Sequence, residues 1–401
     1  MKSVLWCLLT AVVASSAAAA EPHRLTLQVH EPVGVHRDGS PVHVLLELPQ
    51  PVDAATRFRL LDQGQPIVAQ FRPGASGDQT ASWWLDFVAR CTPHGSRRYV
   101  VEYGPDLEPG PQRSGGHKLT ETDDTFVISN APYIDWTVPR DLRGFLRSVD
   151  FPPSEHLRPD SVGLTLRDRE GGSHPLGGAG SRAEVVRQGR MAVALRFEKT
   201  ETDEALRGVH WRVDLLFPGP VSWVDMRLNI EDPQNRVEAA GLQLRLNLNP
   251  PTGATRTLVE LGAARTVYRS LLGNQQVELR ADQRQSSPWQ VLRGDGRQLQ
   301  PFVVSPPRSA AAEGWAHIMD RKRCLAVAFD RFGQQGEERL NVRADGTLTA
   351  VKKFIGAAPD GTAPPKAWRA WLHFVHFPPQ QSAGTDPYMM QHPLVVRELD
   401  R

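Results

Sequence analysis

"HWRVDLLFPGPVSWVDMRLNIED", residues 210–232, is the stretch that decides the fold. Trp211, Val213, Leu215 and Phe217 recur at every second position. Then comes Pro218-Gly219-Pro220, a turn-forming triplet. On the far side Val224, Met226, Leu228 and Ile230 fall on one face, and Trp223, Asp225, Arg227 and Asn229 on the other. A two-residue period on both sides of a turn is the signature of a β-hairpin with one greasy and one polar face. The apolar rows are core, each buried Leu or Ile being worth roughly 1.5–3 kcal/mol. The polar row is either solvated sheet or the floor of a sugar-binding groove.

The same period spreads outward. "RLTLQVH" alternates Leu25, Leu27 and Val29 with polar residues, and "RRYVVEYG" and "AEVVRQG" are short β-rich runs. "GLQLRLNLN" sets Leu242, Leu244, Leu246 and Leu248 against Gln243, Arg245, Asn247 and Asn249. "EGWAHIMDRKRCLAVAFDRF", 313–332, reads as a hairpin turning near "DRKR". Trp315 and His317 share a face there, and Leu325, Val327 and Phe329 form a core row. In "AWRAWLHFVHFPP", 367–379, Trp368, Ala370, Leu372, Phe374 and His376 face one way and Arg369, Trp371, His373, Val375 and Phe377 the other. Both sides are largely apolar, as in a strand covered on both faces. His373 and His376, three apart, point to opposite sides. Turn dipeptides recur at short intervals, and 3.6-residue periodicity is nearly absent. The expectation is an all-β protein of sandwiches or barrels.

Residues 1–20 read as a secretory signal: Lys2, an apolar run that contains Cys7, then "SSAAAA" before Glu21. No later stretch approaches the ~20 apolar residues of a membrane span. The chain reads as exported, periplasmic or extracellular, without a transmembrane anchor. Its 47 basic residues nearly balance 45 acidic ones, so charge gives no case for nucleic acid. Forty of the basic residues are Arg. That skew suits hydroxyl and carboxylate ligands and equally suits codon bias. Cys91 and Cys324 stand apart, without C-x-x-C or Cys/His spacing, which predicts two separate buried thiols and no metal site. The stretch "GPDLEPGPQRSGGHKLTETDD", 104–124, reads as a linker between a unit at 21–110 and one at 124–401. "DREGGSHPLGGAGS", 168–181, is a glycine-rich loop lacking the strand-to-helix setting of a phosphate cradle.

Catalytic signatures are missing: no G-x-S-x-G, no H-E-x-x-H, no P-loop. Ten Trp with many Arg, Asn and Asp do offer flat apolar faces and planar hydrogen-bonding groups, which polyhydroxyl ligands need. Trp223, Asp225, Arg227, Asn229 and Trp315 are the candidate ligand-binding residues. His317, His376 and Arg331 are the candidates for catalysis. Each also has a structural reading: a sheet-bound histidine, an ordinary solvated face.

"EPVGVHRDGSPVHVLLELPQ", "FRLLDQGQPIVAQFRP" and "SWWLDFVARCTPHGSRRYVVEYG" together resemble the N-terminal RIFT-type β-barrel of the exo-rhamnogalacturonan lyase-like family. From "DTFVISNAPYIDWTV" to "GWAHIMDRKRCLAVAFDRF", "ERLNVRADGTLTA" and "AWRAWLHFVHF" the chain resembles that family's central β-sandwich. The resemblance implies a small barrel (21–110), a connector (111–123), and a large sandwich or supersandwich (124–401). In larger members an α/α-toroid follows and is associated with catalysis. The sequence reaches Arg401 without a helical repeat. The resemblance therefore implies a carbohydrate context and carries over no catalytic residue and no cofactor. The leading expectation is a protein that binds a polysaccharide or oligosaccharide without cleaving it. The alternatives are a lyase or epimerase acting on uronate glycans, with His317 or His376 as base and Arg227 or Arg331 neutralising a carboxylate, and a structural envelope protein.

Overall fold

The computed structural model describes residues 21–75, 77–152, 154–248, 257–264, 266–295, 298–320, 322–356, 365–376 and 385–399. The signal-like segment, Asn249, Phe377 and the side chain of His376 lie outside the described residues.

The 210–232 hairpin forms as its period requires. Strands His210–Pro218 and Trp223–Glu231 pair antiparallel, with Leu215 opposite Met226 and Val213 opposite Leu228. Trp211, Val213, Leu215 and Phe217 are buried, as are Val224, Met226, Leu228 and Ile230. The hairpin sits in a nine-stranded antiparallel sheet. Its order runs Arg182–Arg187, Ala192–Thr200, His210–Pro218, Trp223–Glu231, Lys366–His376, Arg323–Phe329, Trp315–Met319, Leu258–Ala263, Thr266–Leu271. An eight-stranded sheet containing Val237–Arg245 and Thr347–Lys353 faces it across one large core. The Leu242, Leu244, Leu246 and Leu248 row lies in that core beside Trp368, Leu372 and Phe374. A smaller sheet, Lys118–Glu121 to Ser154–Glu155, adds Phe126, Ile128 and Trp136 to it.

A separate core, the first in chain order, gathers Leu25, Leu27, Val29, Leu46, Trp83, Phe87 and Val101 between a five-stranded and a three-stranded sheet, the large core being the second. The long strands Arg37–Asp53 and Gln79–Cys91 pair over most of their length. These sheets enclose a core without closing into a barrel through hydrogen bonds. The all-β class is therefore as the two-residue period predicts.

Three features depart from the sequence reading. Lys118–Glu121, inside the stretch read as linker, is an edge strand on Thr125–Asn130. Its one apolar residue, Leu119, packs against the main core, and a single apolar position is too few to show alternation. Thr385–Gln391 is an α-helix, too short to show an amphipathic stripe. Val395–Glu398 returns to the start of the chain and pairs with His23–His30. Cys91 and Cys324 are both buried free thiols, Cys91 in the first core.

Candidate functional site

The polar row of the hairpin finds its place beside the aromatic strand Lys366–His376. Pairing sets Trp223 opposite His373, Asp225 opposite Trp371 and Arg227 opposite Arg369. The outward face of the sheet thus carries two aromatic rings beside three charges. Asp225, only 5% exposed, receives a fork from Arg369: Nε at 2.9 Å on Oδ1, a terminal nitrogen at 2.5 Å on Oδ2. Arg227 approaches Oδ2 from the solvent side at 3.4 Å. The Arg369 guanidinium lies 4.3 Å from the centre of the Trp371 ring. A bidentate, ring-stacked guanidinium loses little freedom when a ligand arrives.

A cleft of about 190 Å3 opens over this cluster. One wall is Trp223, Asp225, Arg227, Arg369 and Trp371. The first core's strand supplies Ser40, Pro41, Val42 and His43, and the helix side adds Met389, Met390, Pro393 and Leu394. The volume falls below the ~300 Å3 at which sites for drug-sized ligands begin, so it suits a single ring. The second core, the first core and the helix all contribute.

His43 was not singled out by sequence, yet it is the histidine in this cleft. It lies directly across the ladder from Asp86, and its Nδ1 sits 2.6 Å from Asp86 Oδ1. Asp86 is fully buried and also binds Arg187 at 2.8 Å and Gln70 at 3.2 Å. Burial pushes the Arg187 guanidinium down and Asp86 holds it up; its plane rests 4.2 Å over Trp84. With Nδ1 donating to the carboxylate, Nε2 is the lone-pair side of the ring. That nitrogen is shielded and has no hydrogen-bond partner among the described residues.

The remaining predicted residues lie elsewhere. Asn229 and Arg331 line a separate cavity of about 100 Å3, which shares Arg227 and Arg369 with the cleft. Arg331 is more than half exposed and pairs with Asp330 at 3.2 Å. Trp315 and His317 are under the helix. Trp315 is 1% exposed, donates Nε1 to Glu313 at 2.7 Å, and packs with Ala326, Ala328, Trp371 and Met390. His317 is held 3.1 Å from Glu260, which is itself clasped by Arg269. The Gln391 side chain fixes the helix by donating to the Glu313 and Phe329 carbonyls. Along this row His373 faces Asp386 at 3.6 Å, and burial pushes its pKa down to about 4. Among the described residues no three His, Cys, Asp or Glu groups converge as a metal site would need. No described helix is long and apolar enough to cross a membrane.

No protein-family model matches the chain, and no curated protein matches it. Solved structures do resemble it. A protein in the glycosyl hydrolase family 38 from Enterococcus faecalis superposes at TM-score 0.57 with 11% identity, covering 94% of this chain and 48% of that one. A putative aldose 1-epimerase from Escherichia coli K12 gives 0.34 and 12%, covering 66% and 100%. A galactose mutarotase-like protein from Lactobacillus casei gives 0.36 and 10%, covering 65% and 100%. The chain spans about half the length of the first of these, and that likeness defines an all-β fold shared over nearly the whole of the present chain.

Proposed function

We propose that the protein binds a carbohydrate, one sugar ring at a time, in the cleft over Asp225. The observation that carries this is the pairing of Trp223 and Trp371 with the Arg369–Asp225–Arg227 cluster in a 190 Å3 space. Sugar C–H faces pack on indole rings, and vicinal hydroxyls hydrogen-bond to planar guanidinium and carboxylate groups. The likeness to the glycosyl hydrolase family 38 protein from E. faecalis supports a sugar as ligand, and the resemblance to the exo-rhamnogalacturonan lyase-like family favours a pectic glycan. Titration calorimetry against pectic and neutral oligosaccharides tests the reading. Binding is expected, weakened about tenfold or more in Trp223→Ala. Uniform absence of heat across acidic and neutral glycans sinks it.

A second reading rests on the His43–Asp86 pair. A histidine held in one tautomer by a buried carboxylate is built for proton transfer, and Arg227 or Arg369 beside it would neutralise a uronate carboxylate. Lyase or epimerase chemistry then takes place in the same cleft. Absorbance of unsaturated uronate product, or loss of anomeric purity by NMR, reports it. His43→Gln is expected to abolish either signal while leaving calorimetric binding in place; a variant as active as the parent removes this reading. Export and the division at residues 111–123 belong to the same proposal. Amino-terminal sequencing of the mature protein and limited proteolysis test them.

A further inference from the structure

A second cavity is larger than the one over Asp225. It measures about 590 Å3, inside the ~300–1,000 Å3 range of small-molecule sites, and lies at the junction of the two cores. The first core contributes Arg59, Phe71 and Arg72, the connector Arg113 and His117, and the 188–191 loop Arg190. Among the described residues four arginines line it and no Asp or Glu does, in a chain whose charges otherwise nearly cancel.

Arg59 is committed to Glu102 at 2.6 Å. Among the described residues Arg72, Arg113 and Arg190 meet no carboxylate. Main-chain oxygens hold two of them instead. Arg72 donates to the Gln188 carbonyl at 3.1 Å and the Phe71 carbonyl at 3.0 Å. Arg190 donates to the carbonyls of Arg113 and Ser114. Arg113 rests 4.0 Å from the Met191 sulfur. Carbonyl bonds fix the direction of a guanidinium and leave its charge uncompensated. The forks are therefore aimed in advance, which lowers the entropy cost of binding.

The floor is apolar and flat. Phe58 and Phe71 stack at 4.8 Å, with Trp83 4.4 Å from Phe58. At the inner end His117 is 4% exposed, and neither ring nitrogen meets a partner at hydrogen-bond geometry. It is neutral at pH 7, since burial pushes its pKa down to about 4, and so adds no charge to the cavity.

We propose that this junction cleft is a second binding site, selective for an oxyanion, carboxylate or sulfate, carried on a ring with a flat apolar face. Guanidinium forks match the geometry of both oxyanions, and the Phe58–Phe71 stack receives the ring. The inference does not depend on the reading of the Asp225 cleft. Calorimetry with glucuronate, glucose, a sulfated monosaccharide and inorganic sulfate tests it. Glucuronate or the sulfated sugar binds with salt-sensitive affinity. Glucose binds about tenfold more weakly or not at all, and free sulfate, lacking a ring, binds more weakly than its sugar ester. Arg72→Gln/Arg190→Gln lowers the affinity about tenfold or more, and does so equally in a Trp223→Ala background that disables the Asp225 cleft. Arg113→Gln, which removes no main-chain bond, gives the same direction of effect even if the double variant fails to fold. The proposal is overturned if no anionic ring binds, if glucose matches glucuronate, if free sulfate matches the sugar ester, if folded Arg113→Gln binds as the parent does, or if Trp223→Ala abolishes the signal.

Discussion

Acidification from pH 7 to pH 4 will cost the fold about 3 kcal/mol through His117 alone. The ring is almost wholly buried, set edge-on to Trp136 at 5.6 Å and near the Pro218 carbonyl. Burial, with Arg113 and His43 acting in the same direction, brings its pKa from the ordinary 6.5 down to about 4. Between those values the unfolded chain takes up a proton that the folded chain refuses, so stability falls as pH falls. A difference of ~2.5 units at ~1.4 kcal/mol each gives about 3 kcal/mol near pH 4. Urea unfolding of the parent and of His117→Phe at steps from pH 7 to pH 4 isolates the contribution. His373, also near 4, weakens both proteins on acidification. Glu338, raised by burial to about 7, strengthens both. The parent is expected to lose about 3 kcal/mol more than the variant across this range. Parallel stability curves for the two proteins would refute the argument.

Other perturbations have equally definite outcomes. Arg37→Ala leaves the fully buried Glu31 without its guanidinium and frees the Met389 and His392 carbonyls. A loss of ~3–5 kcal/mol in denaturant unfolding is expected, with faster amide exchange at Val395–Glu398; a loss below ~1 kcal/mol contradicts the buried pairing. Gly314→Ala places a Cβ 2.0 Å from that of Phe332 at a φ of +72°, and a cost of ~1–3 kcal/mol should appear as a lower Tm; an unchanged Tm counts against this packing. Thiol reagents should leave Cys91 and Cys324 unmodified in the native protein and label both after unfolding. Burial raises both pKa values, Cys324 to about 12. Rapid native labelling at either position is the contrary result.

What could be read from sequence followed the period of two. The 210–232 hairpin, the leucine row at 242–248 and the doubly covered strand at 366–376 were legible because alternation is a local property. Trp368, Leu372 and Phe374 face the main core, while Trp371 packs with Trp315 and Met390 on the other side. The cleft was legible only in part. Trp223, Asp225 and Arg227 share a face by simple counting, but their partners Arg369 and Trp371 arrive through strand pairing across more than a hundred residues. His43 and Asp86 meet through hairpin register, which "PVHVLLEL" and "WWLDFV" do not announce individually. Trp315 and His317 were equally eligible by pattern; a seven-residue helix too short to leave a trace covers them.

The pairing of Val395–Glu398 with His23–His30 has a consequence for biosynthesis. During translation this amino-terminal edge emerges well before its cover, which lies more than three hundred residues further along the chain. Throughout that interval a strand with three inward apolar residues, Leu25, Leu27 and Val29, presents unpaired amides along one side. The arrival of Val395–Glu398, rather than the folding of the other strands of the first core, is the moment at which this border is sealed. A chaperone that shields nascent β-edges therefore has the longest claim on residues 23–30.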